Sequence, residues 1–252
     1  MSENLDRKAK AQAAAPRTGT GPNKIVVAGV VLIVAVIAVV AGVILASQNK
    51  KDNASAGGSS LPAGVAQKGG PLVLESTKKG VPVLDIYEDF QCPACASLES
   101  AVGASITSMI EKGQITARYH IMSFLDGNLD SVSPNKQSSN RSANAAMCAA
   151  ADGKFLAYHN ALFTNHPDEG KGWSDAELKA KAADAGIKDI GAWEQCYADK
   201  PYNQYVASID DQAAKDGVTA TPTLKLNGEV IDLQKAGISS AADFTQYILS
   251  AK

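Results

Sequence analysis

The chain is 252 residues long, 45% hydrophobic and 20% charged, with a formal net charge of −2. That is an ordinary globular composition with room for one sizeable core plus appendages. Residues 71–252 carry 16 Lys/Arg against 23 Asp/Glu, a negative surplus that repels phosphate backbones, so no nucleic-acid partner is expected.

Residues 1–24, rich in Ala, Gly, Pro and charge, read as a disordered tail. Ile25 to Ala46 is a run of 22 residues without a charge. At about 1.5 Å per residue it is roughly 33 Å of helix, enough for a hydrocarbon core of about 30 Å. It exceeds the apolar part of a cleaved signal peptide, and the small triplet Ala54-Ser55-Ala56 lies well past it, so it reads as an uncleaved single-pass anchor. Arg7, Lys8, Lys10, Arg17 and Lys24 precede the span against Glu3 and Asp6, while Lys50 and Lys51 follow it. The larger Lys/Arg excess keeps the N-terminus cytoplasmic and sends the rest of the chain to the outer side of the cell membrane. Residues 47–70, with Gly57-Gly58-Ser59-Ser60 and Gly69-Gly70, read as a flexible linker.

The folded part is expected over 71–252. Leu72-Val73-Leu74 and Val81–Tyr87 are strand candidates, followed by a helical pattern from Leu98 that ends near Gly113. Ile115–Phe124 alternates as a third strand, and Asp126-Gly127-Asn128 breaks the pattern. From Asn140 to about Asp216 the pattern is almost all helical, with Ser174-Asp175-Ala176-Glu177 in the form of a capping box. Thr223–Leu226 and Val230–Leu233 flank Asn227-Gly228, a two-residue hairpin signal. A last amphipathic helix spans about Ala241 to Ser250. Strands and a helix, a helical block, then a hairpin and a helix describe an α/β sheet domain with a helical insertion over about 135–216.

The chemistry centres on Cys92-Pro93-Ala94-Cys95, where a strand gives way to a helix. Residues i and i+3 share a helix face, so the two sulfurs are close enough to open and close a disulfide. A helix start offers unpaired N–H donors and the positive end of the dipole, and both favour the reactive thiolate. Pro93 suits the first helical position. Cys92 is expected to be the exposed thiol and Cys95 the shielded one. Half of a zinc site is the competing reading, but Cys148 and Cys196 each stand alone and His120, His159 and His166 show no ligand spacing, so no metal is expected. A merely structural vicinal disulfide is the other alternative. Four cysteines suit an oxidising exterior.

The run Tyr87-Glu88-Asp89-Phe90-Gln91-Cys92-Pro93-Ala94-Cys95 resembles the active-site entry of membrane-anchored, DsbA-like thiol–disulfide oxidoreductases of actinobacterial type. Gly217-Val218-Thr219-Ala220-Thr221-Pro222-Thr223 resembles their cis-proline loop, and Asn144–Cys148 with His159–Phe163 resembles their helical insertion. The resemblance implies a thioredoxin fold with an inserted helical domain, preceded by one transmembrane helix. It implies Cys92 as the attacking sulfur and Cys95 as the resolving one, Pro93 and Ala94 as the tuning dipeptide, and Thr221 and Pro222 as the loop that receives an extended peptide. Two departures stand out. Ala94 replaces the frequent His between the cysteines, and Ile86 occupies the place of the family's buried acid. Asp85, Glu88 and Asp89 lie nearby, with proton transfer and solvated or capping acids as rival readings.

The implied activity is dithiol oxidation in secreted or envelope proteins, with the Cys92–Cys95 disulfide itself as the redox group and no further cofactor. The implied partners are reduced client proteins and a membrane quinone-coupled reoxidase of VKOR or DsbB-like type. Reductase or isomerase action at the same site, and a tethered chaperone or binding module, are the alternatives. With Cys92 and Cys95 paired, Cys148 and Cys196 are the remaining combination, expected as a structural disulfide between two insertion helices, with two buried free thiols as the alternative.

Overall fold

The computed structural model describes residues 60–168 and 170–251. The expected tail, the anchor at 25–46 and residues 47–59 of the linker lie outside the described residues. No helix among the described residues is long and apolar enough to cross a membrane. The linker was expected to reach residue 70, but its last part belongs to the domain. Ser60 N donates to Pro201 O (3.1 Å) and Gly69 N to the Ser208 hydroxyl (2.9 Å), and the Tyr205 hydroxyl donates to Gly70 O (2.8 Å). Glycine here serves close approach to a helix rather than flexibility, since a Cβ on Gly69 would lie 3.3 Å from Ser208 O.

The core is a five-stranded sheet of order β1-β3-β2-β4-β5: β1 Leu72–Leu74, β2 Val83–Glu88, β3 Thr116–Ile121, β4 Thr223–Leu226 and β5 Glu229–Val230. β2 runs parallel to β3 and antiparallel to β4. Being central, β2 is buried on both faces, so Leu84, Ile86 and Glu88 share one face and Asp85 and Tyr87 the other. The hairpin at Asn227-Gly228 has both residues at positive φ (51° and 92°), which suits its tight turn. β5 is shorter than the expected Val230–Leu233: Glu229 and Val230 pair with β4, Ile231 N still donates to Leu224 O (2.9 Å), and the chain then turns away.

After β2 the chain enters α1 (Pro93–Leu98), a π-helical segment (Glu99–Gly103) and α2 (Ala104–Glu111). The Asp126-Gly127-Asn128 break is a one-turn helix, α3 (Asp126–Leu129). The insertion follows as α4 (Ser138–Ala151), α5 (Phe155–Phe163), α6 (Asp175–Asp184), α7 (Ile190–Asp199) and α8 (Asn203–Lys215), and the chain ends in α9 (Ala241–Ser250). Ser174 and Glu177 form the reciprocal capping box at α6. Cys148 and Cys196 are disulfide-bonded, with Cα atoms 5.9 Å apart, and join α4 to α7. Trp173, Trp193, Met122 and Met147 are all buried, as core residues should be.

Candidate active site

Cys92 is the residue before the first turn of α1, extended at φ −81° and ψ 116°, with Pro93 at the first helical position. Cys95 follows one turn later, and both carry free thiols. The Thr221–Pro222 bond is cis, and the Cys92 Sγ lies 3.5 Å from Thr221 O, so the β4 entry loop meets the helix start at the sulfur. That contact corrects one expectation. Cys92 is only 5% exposed, because the cis-proline loop covers it; Cys95 is fully buried.

The two sulfurs are electrostatically opposite. Cys92 is lowered from 9.0 to about 6, chiefly because the Cys95 thiol donates a hydrogen bond to it, against the opposing cost of burial. The Cys95 and Ala94 backbone N–H groups, the free donors of a helix start, add to the lowering. Cys95 is pushed well above its usual value, first by burial, then by its bond to Cys92 and by the charges of Cys92 and Glu88. One sulfur is therefore a thiolate near neutrality and the other a thiol.

The insertion fixes the loop ahead of Cys92. Phe90 O accepts from Trp173 Nε1 (3.1 Å) and His166 Nε2 (3.0 Å), both from the insertion. Asp89, with no exposure, accepts from Gln91 N (2.9 Å), Leu125 N (3.2 Å) and the Ser139 hydroxyl (2.6 Å). It is a buried clamp rather than a solvated acid. Asp85 pairs with His120 (2.9 Å) on the other face of the sheet.

Glu88 lies on the core face of β2, two residues beyond Ile86, and is wholly buried. Its Oε2 lies 2.8 Å from His159 Nε2, and Glu99 faces it from the π-helical segment. Burial raises both carboxyls from 4.5 to about 8, with the Glu88 charge adding at Glu99. His159 is surrounded by Phe90, Tyr119, Phe155 and Phe163, with ring centroids 4.9–5.8 Å away, and burial lowers its pKa. One donor atom from each of Glu88, Glu99 and His159 lies within 4.8 Å of the others, a grouping with the chemistry to meet a cation, but these atoms are turned on one another. Sequence reading missed Glu99 and His159 and left Glu88 undecided. The available signal was parity: Leu84, Ile86 and Glu88 alternate onto one strand face, Glu99 follows Cys95 by four residues, and His159 sits between Phe155 and Phe163 at helical spacing.

The thioredoxin family pattern matches residues 77–244, which includes both cysteines, the whole insertion and the cis-proline loop. The chain belongs to the thioredoxin family. Among solved structures, this thioredoxin-family chain is similar to the reduced disulfide bond oxidoreductase DsbG of Mycobacterium tuberculosis, at 27% identity and a TM-score of 0.59, covering 74% of this chain and 89% of that one. Oxidised DsbA of Mycobacterium tuberculosis matches at 28% identity and TM-score 0.57, covering 71% and 88%. The fold is also that of MdbA, a thiol–disulfide oxidoreductase of Corynebacterium diphtheriae, at 24% identity and TM-score 0.58, covering 75% and 92%. Among curated proteins, 112 residues are 29% identical to the serine/threonine-protein kinase PknE of Mycobacterium tuberculosis, 42% of this chain, and the chain spans about a fifth (19%) of that kinase's length. The chain is a DsbA-like thiol–disulfide oxidoreductase.

Proposed function

We propose that this protein is an extracytoplasmic dithiol oxidase, working through Cys92 and Cys95 on reduced secreted or cell-envelope proteins. The observation that carries the reading is the lowered Cys92 beside the raised Cys95. A client thiolate attacks Cys92 Sγ of the disulfide, and the S–S electron pair leaves on Cys95, which takes up a proton. A second client thiolate then attacks the client sulfur of the mixed disulfide, and Cys92 departs as a stabilised thiolate. A good leaving group at Cys92 also stabilises the reduced enzyme, which makes its disulfide oxidising; DsbA is the reference example of this logic. Thr221 beside the sulfur supports docking of an extended client segment along that loop.

Turnover then needs an electron acceptor in the membrane, for which a quinone-coupled reoxidase is the fitting class, and the charge bias around Ile25–Ala46 supports a tethered, outward-facing domain. Equilibration of Cys92–Cys95 with glutathione tests the direction. A disulfide readily reduced by glutathione is expected; one that resists reduction as strongly as a structural disulfide assigns the site to a reductase instead. Cys92→Ser is expected to abolish client oxidation and Cys95→Ser to accumulate mixed disulfides.

A further inference from the structure

No metal motif is legible along the chain, yet folding brings three donors together from three elements. Glu88 comes from β2, Glu99 from the π-helical segment and His159 from α5, and one donor atom of each lies within 4.8 Å of the others. His159 is oriented as a metal-bound imidazole is. Asn160 Nδ2 donates to Thr107 Oγ1 (3.0 Å), which turns the Asn160 Oδ1 toward His159 Nδ1 (3.0 Å). Nδ1 therefore carries the hydrogen, a tautomer assigned from this network, and Nε2 presents its lone pair to Glu88 Oε2 at 2.8 Å. Ligating histidines are held by such an outer bond at the other nitrogen. The Glu88 side chain has no exposure, and the Oε1 atoms of Glu88 and Glu99 are both buried without a hydrogen-bond donor. Oxygens in that position call for a proton or a cation. An entry path is present as well. Glu99 and Asn160 line a cleft of about 450 Å³ with Ser100, Gly103 and Thr164. Gly103 lies one turn beyond Glu99, and a Cβ there would overlap Glu99 Oε2, so glycine leaves the carboxyl room to turn. π-helical turns of this kind frequently mark functional sites.

We propose that Glu88, Glu99 and His159 form a binding site for one first-row divalent transition metal of the zinc type, reached through the Gly103 cleft and joining β2, the π-helical segment and α5. One imidazole nitrogen and two carboxylate oxygens, each at about 2.0–2.2 Å, make three protein ligands of a four-coordinate zinc, and water in the cleft supplies the fourth. Calcium and magnesium favour all-oxygen surroundings, so the imidazole selects against them. Two carboxylates, a neutral imidazole and a divalent ion sum to zero charge, which a desolvated site tolerates. In the metal-free protein the carboxyls hold protons instead, and the entering metal displaces them. The two sulfurs take no part, and the centre stands or falls apart from the direction of the thiol chemistry.

The test uses oxidised, untagged full-length protein, because the Cys92–Cys95 disulfide removes the thiolates that would otherwise take up zinc. The protein is stripped with EDTA and dialysed against zinc chloride, alongside Glu99→Gln and Asn160→Ala. Glu99→Gln removes a ligand charge at nearly constant shape, and Asn160→Ala keeps all three ligands but removes the bond that orients His159. Wild type is expected to retain about one zinc per chain through gel filtration, with nitrogen and oxygen neighbours at about 2.0–2.1 Å in its X-ray absorption and no sulfur near about 2.3 Å. Its melting temperature is expected to rise with zinc, since the metal binds the folded state. Glu99→Gln is expected to lose the retained zinc, and Asn160→Ala to bind about 10–100-fold more weakly. The zinc-dependent rise is read within each variant, so a change in intrinsic stability cancels, and if Glu99→Gln does not fold, Asn160→Ala decides alone. Three results overturn the site: stripped wild type that retains no zinc, protons alone then holding the carboxyls; variants that bind zinc as tightly as wild type; or sulfur among the neighbours of the bound zinc.

Discussion

Glu88 Oε2 and His159 Nε2 meet at 2.8 Å, with neither side chain exposed to solvent. A strand and an insertion helix are joined there by a hydrogen bond made in full desolvation. Glu88 and Glu99 both ionise only near pH 8 in the fold, against 4.5 for a free carboxyl. Between those limits the native state keeps protons that the unfolded chain has released. The contribution of these two carboxyls to stability is therefore fully present below pH 4.5 and is lost as pH rises toward 8, by up to about 1.4 kcal/mol per pH unit for each retained proton. Asp210, raised to about 7, and Asp126, raised to about 6, act in the same direction, while His159 and His166, lowered by burial, oppose it below about pH 6.5, so the decline is read between pH 6.5 and 8. Urea unfolding of the metal-free oxidised domain across about pH 6.5 to 8 is expected to show this decline, and Glu88→Gln to flatten it. A stability that rises over that range would refute the assignment.

The second prediction concerns the loop before Cys92. Phe90 O accepts from two insertion side chains, Trp173 and His166. Trp173→Phe removes one donor and leaves the other, so the carbonyl is not orphaned and the cost is about 1 kcal/mol plus lost packing. Removing both donors, in Trp173→Phe with His166→Phe, leaves a buried carbonyl unpaired and is expected to cost more than the two single changes together. A double-mutant cycle in thermal unfolding checks this; strict additivity would mean that the insertion does not clamp the loop.

How much of this was legible beforehand depends on the range of the interactions. Pro93 at a helix start, the Ser174–Glu177 capping box and the Asn227-Gly228 turn are local chemistry, and each was readable from a few neighbouring residues. Cys92 was expected to be exposed, and it is covered because Thr221, 129 residues later, lies against its sulfur. Glu99 and His159 escaped notice for the same reason. A carboxyl in a helix normally reads as a solvated face, and only packing against β2 reveals that this one looks inward. The linker boundary moved because Gly69 and Gly70, flexible in isolation, are fixed by Ser208 and Tyr205 on α8.

The Cys148–Cys196 bond closes a sequence separation of 48 between α4 and α7. In the chain-entropy view, cutting a loop of that size lowers stability by about 4 kcal/mol, an upper figure because the unfolded chain retains structure. The double change Cys148→Ala, Cys196→Ala is expected to lower the unfolding midpoint markedly while the Cys92 pKa stays where it is, because neither residue is among the groups that set it. Thermal unfolding and iodoacetamide titration of the same variant separate the two effects. A large change in the Cys92 titration would mean that the insertion disulfide reaches the active site.

The last prediction follows from the lowered Cys92. Its folded pKa is about 6 against 9.0 for a free thiol, so the thiolate stabilises the reduced fold. For a depressed acid this contribution is fully present above pH 9 and is lost as pH falls through 6. The whole shift corresponds to about 4 kcal/mol, of which roughly 1.4 is developed at pH 7. The reduced protein is therefore expected to gain stability relative to its own Cys92→Ala variant as pH rises from 6 to 9. The oxidised protein, which has no thiol at that position, should show no such gain. Paired denaturation curves at pH 5, 7 and 9 measure it, and thiolate absorbance near 240 nm locates the ionisation independently. If the reduced protein and its Cys92→Ala variant run parallel over that range, Cys92 is an ordinary thiol, and the driving force for taking electrons from clients is absent.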